Sequence, residues 1–364
     1  MGDSVLFKRV VLHCHQKIGA DRTINNIYHL LTGRRSVQTV QDSHLYQLQT
    51  FHGIYRHLTK VDFHRLIQEL KRDGYIKSVG QNEHTFIPTD KADLCLNGTR
   101  TNDDLLMTYF SGSEYYRMDE SFYNRLLLFI QVVTNQKMNN YSYIPVVDDN
   151  ETTQWLKRNF QQINRQLDRY ITELHKELAH ILNHLRDEHA SIFVDQLTSY
   201  KLYGLSVSQL ARTHHCSKGS IRLTRTAVIH YMLTQVTNNG HLFPVLSSFV
   251  PSEVTPSHLS QSATKTYTML KKHFTLEQIA NKRQLKLSTV HDHLVEIAYH
   301  VKHFSIDRFV SQADQKIIIK AIEKAETSKL KEIKSIVGDA FDYYQIKLVL
   351  SKAHQKEVGD THGV

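Results

Sequence analysis

TLEQIANKRQLKLSTVHDHLVEIAYH, residues Thr275–His300, is the stretch that decides the fold of the C-terminal third. Leu276, Ile279 and Ala280 mark one short helix, and Leu285 and Leu287 mark a turn. Ser288 is placed to cap a second helix whose apolar side is Val290, Leu294, Ile297 and Val301, at steps of four, three and four. A helix-turn-helix needs this arrangement: a small residue, Ala280, where the helices cross, Leu285 in the angle between them, and Val290 anchoring the second helix. It leaves Lys286, Ser288, Thr289, His291 and Asp292 at the N-terminal end that meets bases and phosphates. The turn position that usually carries glycine is Gln284, where a positive φ costs roughly 1 kcal/mol.

Working outward, the 364 residues are enough for two or three domains, and 40% apolar residues with charge of both signs mark a globular chain. The apolar run Leu126–Val133 is too short to span a bilayer, the N-terminus lacks the pattern of a signal peptide, and Leu6 spoils a myristoylation motif at Gly2. The expected location is cytoplasmic, associated with the nucleoid. Cys14, Cys95 and Cys216 show no metal or redox spacing, so reduced thiols are expected, with no metal and no cofactor. The net charge of +9 is uneven: residues 1–100 hold 14 Lys/Arg against 9 Asp/Glu, 101–259 hold 14 against 15, and 260–357 hold 17 against 11. Two basic ends around a neutral middle suit a polyanion touching both ends.

The N-terminal hundred residues read as a winged-helix-like module. Leu45, Leu48 and Phe51 predict one helix after Asp42 or Ser43, and Phe63, Leu66, Ile67 and Leu70 predict a second over Asp62–Arg72, closed by Gly74. Two β-prone runs, Tyr75–Val79 and Thr85–Ile87, flank a wing tip at Gly80–His84, with Arg65, Lys71, Arg72 and Lys77 supplying charge. DNA contact and protein docking both stay open for this module.

In the middle, Phe122–Val133 predicts a buried helix, and the seam Leu156, Phe160, Ile163, Leu167, Tyr170, Leu174, Leu178, Ile181 and Leu185 predicts one long helix. Leu205–Leu223 repeats the C-terminal pattern faintly: Leu210-Ala211 matches Ile279-Ala280, Cys216 matches Leu285 and Ile221 matches Val290. A third helix-turn-helix and an ordinary helix hairpin both fit it. Asn238–Ser262 carries three of the five prolines and reads as the linker. The expected fold is mainly α: a winged-helix-like module at 1–100, a helical middle domain with one long helix at 101–240, a linker at 241–262 and a helix-turn-helix domain at 263–355.

With these residues in view, the last 95 or so residues resemble the helicase-associated helix-turn-helix domain. The likeness rests on the Thr264–Phe274 helix, the Thr275–Leu294 core and the later LKEIKSIVGDAFDYYQIKLVLS, whose matching members are Leu330, Lys331, Ile333, Lys334, Tyr343, Ile346, Lys347, Val349 and Leu350. The domain ends some RecQ-type helicases and occurs in free-standing YpbB-like proteins of Gram-positive bacteria; the length and helical middle resemble the second type. The first 260 residues match by layout alone. The resemblance implies a DNA-binding accessory factor that partners a RecQ-like helicase in replication or repair. The chain itself has no G-x-x-x-x-G-K-[ST] phosphate loop.

Two uses of the motif remain open. In one, Lys282, Arg283, Lys286 and the N-terminal basic residues hold phosphates with little sequence preference. In the other, a transcription regulator reads an operator through Thr289, His291 and Asp292. Catalysis is disfavoured, because three adjacent residues such as His13-Cys14-His15 or His214-His215-Cys216 point about 100° apart on a helix and do not converge on one metal.

Overall fold

A computed structural model describes residues 5–79, 85–98, 102–251, 259–301, 303–325 and 330–360; the expected wing tip, Gly80–His84, lies outside them. In chain order, α1 (Val5–Ile18), α2 (Asn25–Leu31), α3 (Val37–Leu45) and α4 (Lys60–Arg72) precede the hairpin of β1 (Ile76–Ser78) and β2 (Phe86–Pro88). Then come α5 (Asp90–Asn97), α6 (Asn102–Thr108), α7 (Gly112–Tyr115), α8 (Asp119–Lys137), α9 (Asn150–Arg165), α10 (Leu167–Leu182) and α11 (Asp187–Val194). They are followed by α12 (Val207–Thr213), α13 (Lys218–Asn238), α14 (Pro244–Phe249), α15 (Gln261–Lys271), α16 (Leu276–Arg283) and α17 (Leu287–His300). The last are α18 (Gln312–Ala325), α19 (Leu330–Val337) and α20 (Tyr343–Asp360). The protein is mainly helical, with one small hairpin near its N-terminal region and a helix-turn-helix near its C-terminus.

The compact units interleave along the chain. One draws on Met1–His13, Gly53–Ile76 and Pro88–Thr255, the other on Cys14–His52, Lys77–Ile87 and Pro256–Val364. The first is built on α8, whose Phe122, Leu126, Phe129 and Val133 are all buried. Helices α9, α10, α13 and α14 pack on it. Phe249 of α14 meets Phe129 at 5.0 Å and Trp155 at 5.4 Å between ring centroids.

Two expectations change here. The seam from Leu156 to Leu185 is two helices, because the backbone leaves the α region at Gln166 (φ −132°, ψ 35°). The bend lets Trp155, Leu156 and Ile163 of α9, and Leu174 and Ile181 of α10, join one core around α8. The expected linker 241–262 holds α14 instead. Pro244 stands at the first turn, where its missing N–H costs nothing. The buried Glu177 carboxylate accepts from the N–H groups of Val245 (2.9 Å) and Leu246 (2.8 Å). Burial raises the Glu177 pKa and these two donors oppose the rise. Phe243, Val245, Leu246 and Phe249 are buried, so proline here starts a helix.

The second unit is centred on α17, against which α3, α15, α16 and α20 pack. Its core joins Val290, Leu294 and Ile297 to Ile318, Ile333, Ile346 and Val349, with Val40 and Leu45 from α3. The N-terminal helix expected after Asp42 is α3, which begins earlier: Ser36 accepts from the Thr39 N–H and caps it. Leu48 and Phe51 lie beyond its end, on and just before a 3-10 turn, Gln49–Phe51.

Candidate nucleic-acid interface

The start of α16 is fixed by a capping box in which Thr275 accepts from the Gln278 N–H while Gln278 reaches back to the Thr275 N–H. Its end is a left-handed turn: Gln284 has φ 51° and ψ 45°, the positive φ expected at that position. The Leu285 N–H returns to the Ala280 carbonyl (2.9 Å) and the Gln284 N–H to Asn281 (3.2 Å), the Schellman pattern that absorbs the last carbonyls of a helix. Leu276, Ile279 and Ala280 are buried behind the turn, as is Val290 on α17. Helix α17 begins at Leu287 with Lys286 at its N-cap, two positions before the expected cap Ser288, and Lys286 makes no side-chain cap.

Burial then separates the predicted contact residues. Lys282, Lys286 and Ser288 are exposed, and Leu287 beside them is 38% exposed. Lys282 lies 5.0 Å from the centroid of the Phe274 ring, which holds it at the surface without neutralising it. Thr289 is half-buried. His291 stacks on Tyr344 at 3.8 Å with an 18° tilt, and burial lowers its pKa against the pull of Asp342, Asp292 and Glu277. Asp292 stands 3.7 Å from the Lys347 ammonium.

Arg283 departs from expectation. Its guanidinium donates to the Ser262 carbonyl and hydroxyl, both at 2.9 Å, and to the Thr266 hydroxyl. Thr266 in turn shares a hydrogen bond with the buried His293 (3.0 Å). Desolvation lowers the pKa of both Arg283 and His293. Arg283 therefore ties the end of α16 to α15 and commits three of its five N–H donors there. Nothing in the spacing of charges separates it from Lys282; only the path of α15 does.

In the N-terminal region, Arg65, Lys71, Arg72 and Lys77 are exposed. Arg65 is 3.2 Å from Asp62 and Arg72 is 2.9 Å from Asp73, weak surface pairs. Sequence reasoning missed Lys8 and Lys91, which sit 3.6 Å and 4.7 Å from the centroid of the Tyr75 ring. They come from α1 and α5, and no local spacing announces their meeting. A cleft of the first unit, about 690 Å³, is lined by Arg56, Arg117, Arg222 and Arg225 but also by Asp119, Glu120, Asp148, Asp149 and Glu151. Arg56 is paired with Asp119 (2.8 Å) and Glu120 (3.1 Å), so the cleft is not an anion trap.

Burial works against a reactive thiolate in both Cys-His triplets. Cys14 and His15 are buried; desolvation raises the Cys14 thiol and lowers His15 to about 4. Cys216 is likewise raised, first by burial and then by Glu188 and Asp103. Among the described residues no three His, Cys, Asp or Glu gather as metal ligands, and no helix is long and apolar enough to cross a membrane.

Comparison with known proteins fits this geometry. An RQC domain matches residues 6–103 and a helix-turn-helix domain matches residues 262–350, and the pair points to a DNA-binding, RecQ-associated role. The chain is similar to Protein YpbB of Bacillus subtilis (strain 168), with 28% identity over 359 residues, 96% of this chain and 98% of the relative. No solved structure matches the chain.

Proposed function

We propose that the protein is a non-catalytic DNA-binding accessory factor that works with a RecQ-like helicase in replication or repair and grips mainly the phosphate backbone. The observation that carries this reading is the division of labour around α17. Its first turn and the turn before it expose Lys282, Lys286 and Ser288, while the would-be base readers are engaged at home, His291 on Tyr344 and Asp292 beside Lys347. Cations on a turn and N–H groups at a helix start suit phosphate oxygens, which carry no sequence information. The region matched by the RQC domain is the second proposed contact region, with Lys71 and Arg72 at the exposed end of α4 as phosphate ligands.

The competing reading is a sequence-specific regulator using Thr289, His291 and Asp292, and affinity for several unrelated duplexes at one salt concentration separates the two. Near-equal dissociation constants support the accessory-factor reading; a preference of about 4 kcal/mol or more for one sequence replaces it with the regulator. The partner is tested by capture of the tagged chain from its native host: recovery of a RecQ-like helicase is expected, and its absence under DNA-free and DNA-bound conditions removes that part of the proposal.

A further inference from the structure

Neither matched domain covers residues 104–261, yet α12 and α13 rebuild the C-terminal motif there. Ser206 and Gln209 form a capping box five residues before Ala211, as Thr275 and Gln278 do before Ala280. Four residues after that alanine, His215 takes a left-handed conformation (φ 50°), as Gln284 does. The Cys216 N–H returns to the Ala211 carbonyl (3.0 Å) and the His215 N–H to Arg212 (3.3 Å), the same Schellman pair. Helix α13 starts seven residues after Ala211, as α17 starts after Ala280, and Leu210 and Ile221 are fully buried where Ile279 and Val290 are. An ordinary helix hairpin has no need to reproduce the cap, the left-handed residue and the helix start at the same offsets.

The surroundings are cationic. From Gln196 to Ser252 the chain holds Lys201, Arg212, Lys218, Arg222 and Arg225 and not one Asp or Glu. Arg212, His215 and Lys218 are exposed on one turn, and among the described residues no carboxylate lies within ion-pair distance of Arg212 or Lys218. Glu188 and Asp103 reach Cys216, which packs inward on the Leu210–Ile221 core. The face of α13 that would enter a groove is occupied: Gly219 is buried, and a Cβ there would meet Phe7 of α1 at 2.9 Å.

From this we infer that Ser206–Leu223 is a further helix-turn-helix that holds DNA by its phosphates, through Arg212 and Lys218 with His215 beside them, and does not read bases. The inference rests on the reading that the chain binds DNA and adds a site to it. The test measures binding of the full-length chain to a mixed-sequence duplex across a salt series, with the parent, Arg212→Ala/Lys218→Ala and Lys282→Ala/Lys286→Ala. Loss of two contacts lowers the salt slope by about 1.8 for the first variant. A parent-like slope for that variant, with the second variant reduced, overturns this inference and leaves the C-terminal site standing; a parent that binds no DNA overturns both. Arg212→Gln/Lys218→Gln repeats the test with a milder change should the alanine variant fold poorly. Photo-crosslinking of the same duplex to the unaltered chain is the second readout: labelled peptides are expected from 207–222, and none from that stretch contradicts the inference.

Discussion

Arg283→Ala separates a structural arginine from a DNA-binding one on the same turn. The guanidinium makes three hydrogen bonds to two residues of α15, two of them at 2.9 Å. Hydrogen bonds from a charged donor are worth about 1.5–3 kcal/mol each when dry. The side chain is only half-buried, so water replaces part of what is lost and the three are not additive. Truncation also strips the shared partner from the buried Thr266–His293 pair. A loss of about 2–3 kcal/mol is expected in urea unfolding of the full chain followed by circular dichroism. The salt slope of DNA binding, measured where the variant is fully folded, stays at the parent value. Unchanged stability together with a slope lowered by about 0.9 would refute the reasoning, because the side chain would then be spending its charge on a phosphate.

Four further outcomes follow from the same geometry. Gln284→Gly relieves a left-handed residue that costs about 1–2 kcal/mol and adds chain entropy of up to about 1 kcal/mol, so its melting temperature is unchanged or slightly higher; a clear drop means that position is not strained. His215→Gly behaves the same way if the middle repeat is the same device, and a drop there alone breaks the parallel. Ala280→Leu, at a residue 6% exposed between α16 and α17, costs about 1–3 kcal/mol through overpacking; a harmless Ala280→Leu argues that the helices are loosely apposed. Burial holds the folded pKa of His15 and of His52 at about 4, below the ordinary 6.5. The unfolded chain therefore takes up these protons first, so stability is fully present above about pH 6.5 and falls as pH drops toward 4; His15→Gln flattens that fall, and an identical pH profile contradicts it.

Much of the second unit was legible because its signals are local. The small Ala280, Leu285 in the turn and the apolar steps of α17 each act within a few residues. The homology of the N-terminal region was legible only as a layout of helices and a hairpin. What failed was non-local. Pro244 reads as a breaker until Glu177, from another helix, supplies acceptors for the N–H groups behind it. Gln166 sits in an unbroken apolar seam, and the bend that puts both α9 and α10 on α8 leaves no mark in that seam. Arg283 and Lys282 are adjacent cations, and only the hydroxyls of Ser262 and Thr266 tell them apart.

The claim that the exposed turn before α17 holds DNA through phosphates is tested most directly by the salt dependence of duplex binding for Lys282→Ala/Lys286→Ala beside the parent. Both lysines are exposed, so the fold and melting temperature are expected to persist. The account predicts a slope lower by about 1.8, about 0.9 for each lysine, with weakening that is equal across unrelated sequences. A slope equal to the parent's, in a variant that is fully folded, would contradict it.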